Sequence, residues 1–127
     1  MINTMVSVEN VENMQNLLTN KQKGKQMKLL TKEITKKATE QFDKGSDMEQ
    51  MIVAKYFDAM GNWKWFLMNM EDENYCWGIV KGFEVEMGSF SLTELKEVLG
   101  RRLERDLYFE PMKASDVFDK LNRGEHV

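Results

Sequence analysis

Two hydrophobic periods divide the chain. Up to residue 42 the apolar positions recur three or four apart, and from residue 51 to 90 they recur every two. Met5, Val8, Val11, Met14, Leu17 and Leu18 fit a short amphipathic helix over residues 5–19, ended by Asn20 and Gly24. Met27, Leu30, Ile34, Ala38 and Phe42 form one stripe of a second helix, 27–42, which Gly45-Ser46 breaks. Its opposite face carries Lys28, Lys32, Lys36 and Lys37, read as a solvated helix face.

The period of two begins with MIVAKYF (51–57), a strand, and the turn 58–62 around Gly61. WKWFLMNM (63–70) is apolar on both faces, as a central strand is. The acidic loop Glu71-Asp72-Glu73-Asn74 leads to a third strand, 75–81, and a tight hairpin at Lys81-Gly82. Residues 83–90 make the fourth. Short loops between successive strands predict an antiparallel meander.

The fourth strand runs directly into a helix. In FEVEMG, Phe83, Val85 and Met87 point one way and Glu84 and Glu86 the other, and Gly88 relieves the bend. Ser91 precedes Glu94 by three, the capping-box spacing, ahead of Leu92, Leu95 and Val98 as an inward face and Gly100 as a stop. LERDLYF (103–109) predicts a fifth, edge-like strand ended by Pro111. Ser115 caps a last helix through Leu121, closed by Gly124. The expected fold is α+β: a four- to five-stranded antiparallel meander, with helices packed mainly on one face and the other partly open. Residues 1–26 form an N-terminal helical extension and residues 27–127 a single domain.

Composition narrows the function classes. With 127 residues, 42% of them hydrophobic and 31% charged, the chain is globular, with one modest core. A net charge of −3 and a pI near 5.3 supply no overall field for nucleic acid, so direct nucleic-acid binding is not favoured. Charge is nevertheless segregated, with lysines dominating residues 21–44 and acids dominating 71–97. The lone Cys76 forms no intramolecular disulfide and reads as a buried thiol, which suits the cytoplasm of a bacterial host. The start lacks a signal peptide's basic and apolar regions, and no apolar run has the length for a membrane.

Candidate chemistry is sparse. Glu84 and Glu86, two apart on a strand, stand roughly 6.5–7 Å apart on one face. That spacing suits a cation or an acid/base pair, and an exposed sheet face explains it equally well. The 71–74 loop lacks the ligand ladder and central glycine of an EF-hand. His126, the single histidine, sits next to the last residue, and no phosphate-binding or nucleophile-elbow motif occurs. Trp63, Trp65, Phe66, Tyr75 and Trp77 read as core rather than as a base-stacking platform. Arg105-Asp106, framed by Leu103 and Leu107, reads as a structural charged pair, with Glu84 or Glu86 as a partner for Arg105.

The runs MKLLTKEI (27–34), VAKYFD (53–58), WKW (63–65), GIVKGFEVEMGSFSLTEL (78–95) and ERDLYFEP (104–111) follow one another in order. Together they resemble a bacterial domain-of-unknown-function family encoded mainly on plasmids, conjugative elements and phages. The resemblance spans about residues 27–121. Two departures stand out: the turn reads Asp58-Ala59-Met60 where the family often has proline, and Ser89 stands where an aromatic residue is usual.

The resemblance brings no settled activity and no cofactor. It implies a mobile-element accessory protein that acts by binding, with an anti-CRISPR inhibitor of an RNA-guided nuclease or its guide-RNA complex as the first reading. Glu71, Asp72, Glu73, Glu84 and Glu86 would then meet that enzyme's basic channel, with Arg105 as a further binding residue. An alternative is a metal-dependent nuclease holding Mg2+ through Glu84, Glu86 and Asp106 and cutting guide or other RNA. A third reading is a regulatory partner in plasmid or conjugative transfer.

Overall fold

The computed structural model describes residues 28–127. The helix expected over residues 5–19, the 1–26 extension and the expected helix start at Met27 lie outside them.

Thr31 begins the first helix of the described residues, α1 (Lys32–Glu40), by accepting the Ile34 N–H at 3.1 Å through its hydroxyl oxygen. That cap places the start five residues later than the apolar stripe predicts. Ala38 is buried, whereas Phe42 falls in a short 3-10 turn and is half-exposed. On the outer face the Lys36–Glu40 and Lys37–Glu33 pairs occupy i,i+4 positions in water, where such pairs contribute little.

The main sheet contains β2 (Ala54–Asp58), β3 (Lys64–Asp72), β4 (Tyr75–Lys81), β5 (Val85–Phe90) and β6 (Leu103–Arg105). All pairings are antiparallel, in the order β5-β4-β3-β2-β6. The expected meander forms four of these strands, and β6 adds at the β2 edge.

One predicted strand divides. Ile52 belongs to one apolar layer, while Val53 and Ala54 both side with the other, so the period of two breaks there. A two-residue β1 (Met51–Ile52) therefore leaves the sheet and pairs with β7 (Met112–Lys113). The predicted fifth strand is also shorter than LERDLYF. The Asp106 carboxylate accepts the Tyr108 N–H at 2.9 Å, which turns the chain out of the ladder.

β3 is buried almost throughout, as its two-sided apolar pattern requires. Between the pairs Leu67↔Gly78 and Asn69↔Trp77 it carries one extra residue, Met68. That bulge lets Met68 and Trp77 share one face while Met70 and Cys76 share the other. Gly78 lies opposite the irregularity, where a Cβ would collide with the Phe66 carbonyl oxygen.

Helix α2 (Leu92–Leu99) begins as the sequence predicts, with Ser91 Oγ accepting the Glu94 N–H at 3.1 Å and Gly100 following at φ of 57°. Of its expected inward face, however, only Leu92 and Leu95 pack on the core, and Val98 is exposed. Helix α3 (Ala114–Asn122) starts one residue before the expected cap at Ser115. Its first amides are taken by backbone carbonyls instead, Ala114 N–H to Gln50 and Ser115 N–H to Met48, each at 2.9 Å.

Two apolar layers result. α1 and α2 cover one face through Leu29, Ala38, Tyr56, Trp65, Leu67 and Leu92. α3 covers the other through Val117 and Leu121, over Phe66, Met68 and Ile79. Of the three α-helices among the described residues two share a face, but the second face, expected to stay partly open, lies under α3.

Candidate functional site

The sheet divides the candidate carboxylates between its two ends. Glu71, Asp72 and Glu73 lie at the β3–β4 turn, and Glu84 and Glu86 follow the far end of β4. Six residue steps of about 3.3 Å separate those ends, roughly 20 Å in all. The five acids therefore form two clusters.

At the first cluster, most of the acidic character is tied to local structure. Asp72 Oδ1 accepts the Asn74 N–H at 2.8 Å, shaping the turn. Glu73 pairs with Lys96 of α2 at 3.3 Å, and its carbonyl accepts the Leu92 N–H at 2.8 Å. These contacts hold α2 onto the hairpin. Between the hairpin and α1 runs a groove of about 840 Å3, with Lys28, Lys32 and Lys36 facing Glu71, Asp72 and Glu73.

The second cluster is built differently. The β4–β5 turn spans Gly82–Glu84, so Phe83 lies in the turn and not in the strand. Its ring is 95% exposed and meets Trp63 edge to face, with centroids 5.8 Å apart. Trp63, itself 39% exposed, stacks on Trp65 at 6.1 Å, which anchors it to the α1/α2 layer. Gly82 makes room for this indole: a Cβ there would come within 2.5 Å of the Trp63 ring. Glu86 pairs with Val80 across the ladder and so points to the same side. Trp63, Val80, Gly82, Phe83, Glu84 and Glu86 line a notch of about 330 Å3. Among the described residues neither glutamate has a cationic partner.

The other aromatic residues do not make a stacking platform. Trp65 and Phe66 are buried in opposite layers, and Trp77 packs on the α3 layer. Tyr75, expected in the core, is exposed at the far turn because it opens β4 beside the acidic loop.

Arg105 and Asp106 lie at the opposite edge of the sheet from β5, four strand spacings or about 19 Å away. Arg105 therefore meets neither Glu84 nor Glu86. Its Nε donates to the Lys28 carbonyl at 3.0 Å, fastening the segment before α1. Asp106 pairs with Lys55 at 3.1 Å on the α3 side. Glu84, Glu86 and Asp106 thus cannot share one cation. Among the described residues no group of three potential ligands converges.

Several pKa values follow from this packing. The Asp58 carboxyl is held below the usual range by hydrogen bonds from Arg102 (3.1 and 2.6 Å) and then from the Met60 N–H (3.0 Å). Burial works against the Asp106 carboxylate, but the Tyr108 N–H and the Lys55 ammonium outweigh it and keep its pKa low. Burial pushes the Cys76 thiol up to about 11, which makes it a poor nucleophile and fits the expected structural role. Lys64 is lowered by burial and then by Lys55 and Lys81, and its ammonium lies 3.2 Å from His126 Nδ1.

Sequence reasoning missed Trp63 and Phe83 as partners, because their meeting depends on two turns that only the folded sheet brings together. It also missed Lys55 and the Asp58–Arg102 pair. Lys55 carried a signal: a lysine inside the apolar run MIVAKYF needs a buried counter-charge.

No helix among the described residues is long and apolar enough to cross a membrane. No curated protein and no solved structure matches the chain. A family model does match, beginning at residue 13, inside the segment read as an extension. Over residues 13–125 the match is to the family described as Protein of unknown function (DUF2958), and the chain belongs to that family.

Proposed function

We propose that this chain acts by binding, as a small accessory protein of a mobile element that inhibits a host RNA-guided nuclease. The observation that carries the binding reading is the notch at the β4–β5 turn. An almost fully exposed phenylalanine rests on a half-exposed tryptophan, and two glutamates without cationic partners among the described residues flank them. Exposed apolar surface rimmed by one sign of charge is characteristic of a protein-binding site. Its sign complements the positively charged channels in which RNA-guided nucleases hold nucleic acid. The resemblance to families carried by plasmids and phages makes such an enzyme the partner to test first.

The metal-dependent nuclease reading draws less support, since Glu84 and Glu86 lie about 19 Å from Asp106 across the sheet. One assay separates the two. A purified RNA-guided nuclease is challenged with target DNA at rising concentrations of the chain, beside labelled RNA incubated with the chain and Mg2+, with and without chelator. The binding reading expects target cleavage to stop near stoichiometric chain and the RNA to stay intact. Chelator-sensitive RNA cleavage lost in Glu86→Gln would replace it with the enzymatic reading. Unimpeded target cleavage with intact RNA would direct attention to a partner in the element's transfer machinery.

A further inference from the structure

We infer that the notch lined by Trp63, Phe83, Glu84 and Glu86 receives a single arginine side chain from the partner protein. The inference rests on the binding reading above and adds the chemical class of the group bound.

The geometry asks for a cation with a flat face. The Trp63 and Phe83 rings meet at 78°, so they form an inner corner rather than one continuous surface. A planar guanidinium that stacks on one ring presents its N–H edge toward the second ring and the carboxylates beyond. Glu86 stands on the same side as Val80, and Glu84 borders the same notch, so both carboxylates are available to that edge. A carboxylate accepts the parallel N–H pair of a guanidinium, a geometry that a compact ammonium does not offer. The notch volume of about 330 Å3 is at the small end of ligand sites, which suits one side chain rather than a folded ligand.

The corner is also held in place before anything binds. Trp63 stacks on Trp65, and Gly82 lies against its six-membered ring in an approach that a Cβ would block. An apolar occupant would leave both carboxylates desolvated without compensation, and an anionic one would be repelled. Charge and shape together select a cation, and flatness selects arginine over lysine.

The test uses Nα-acetyl-argininamide as the probe and the Trp63 indole N–H resonance of the intact chain as the readout. The lysine analogue and the uncharged citrulline analogue serve as comparisons. Arginine is expected to shift the Trp63 signal saturably, with affinity at least about threefold above lysine and about tenfold above citrulline. The Glu84→Gln, Glu86→Gln double variant should weaken arginine about tenfold, and Phe83→Ala, at a fully exposed position, should weaken it without altering the fold. Equal responses to arginine and citrulline, or no Trp63 response at all, would overturn the assignment. Failure of the wider reading looks different. Arginine binding at Trp63 without nuclease inhibition leaves the notch standing and removes the nuclease as partner. Nuclease inhibition untouched by the double variant does the reverse.

Discussion

Lys55 and Asp106 meet at 3.1 Å in the α3 layer, the lysine side chain 5% exposed and the carboxylate 24%. Lys55 comes from β2 and Asp106 from the turn that follows β6, and the Asp106 N–H also donates to the Lys55 carbonyl at 2.9 Å. Removing one partner of a buried pair leaves the other charged and dry, at about 3–5 kcal/mol. Because Asp106 retains some access to water and Lys55 also donates to the Val127 carbonyl at 2.6 Å, the lower end applies.

Asp106→Ala is therefore expected to cost about 3 kcal/mol and to lower Tm by at least about 10 °C. Arg105→Ala gives up one hydrogen bond to the Lys28 carbonyl and should cost about 1 kcal/mol. Glu73→Ala breaks only an exposed pair with Lys96 and should stay within about 1 kcal/mol. Thermal melts of the three variants check this ranking. Asp106→Ala melting like the parent would contradict it.

Acid should unfold the chain through Asp58 and Asp106. Both have folded-state pKa values below the unfolded value near 3.9, so their stabilisation is fully present above that value. It is lost as pH falls through the lower folded values. Tm should be flat from about pH 7 to 5 and fall below about pH 4. In Asp58→Asn the acid slope should be shallower, because one of the carboxyls with a lowered folded pKa (Asp58, Asp106 and the exposed Glu125) is gone. A slope unchanged in that variant would show that the Arg102 pair does not contribute.

Two glycines give opposite expectations for the same substitution. Gly78→Ala drives a methyl into the Phe66 carbonyl at the β3 bulge, where backbone must move, and should cost about 2–3 kcal/mol or more. Gly88 lies in β5 with nothing within 4 Å of a built Cβ, so Gly88→Ala should be neutral or slightly stabilising. Denaturant melts of the pair check the bulge. Equal midpoints would mean that β3 and β4 can shift register at no cost.

Elements with a strong local code were legible in the sequence. Ser91, Glu94 and Gly100 bracket α2 as their spacing predicts, because a cap depends only on residues within four positions. The strands from Trp63 to Phe90 were legible for a similar reason: period two and short turns fix their order. What depended on distant residues was not. The β1–β2 break at Val53 follows from β7, some sixty residues later, which takes Met51 and Ile52 out of the sheet. α3's start answers to the carbonyls of Met48 and Gln50 rather than to Ser115. At the candidate site, alternation placed Glu84 and Glu86 on one side together. It also put Phe83 inward with Val85, but the turn extends through Glu84 and leaves that ring in water.

The most direct measurement of the central claim is the affinity of the chain for a purified RNA-guided nuclease at low and high salt, for the parent and the Glu84→Gln, Glu86→Gln variant. Binding through an acidic notch predicts an affinity that falls steeply between about 50 and 500 mM salt, as charge-steered association does. It also predicts that the variant is weaker at low salt, with a flatter salt dependence. An affinity independent of salt, or a double variant that binds like the parent throughout, would contradict it.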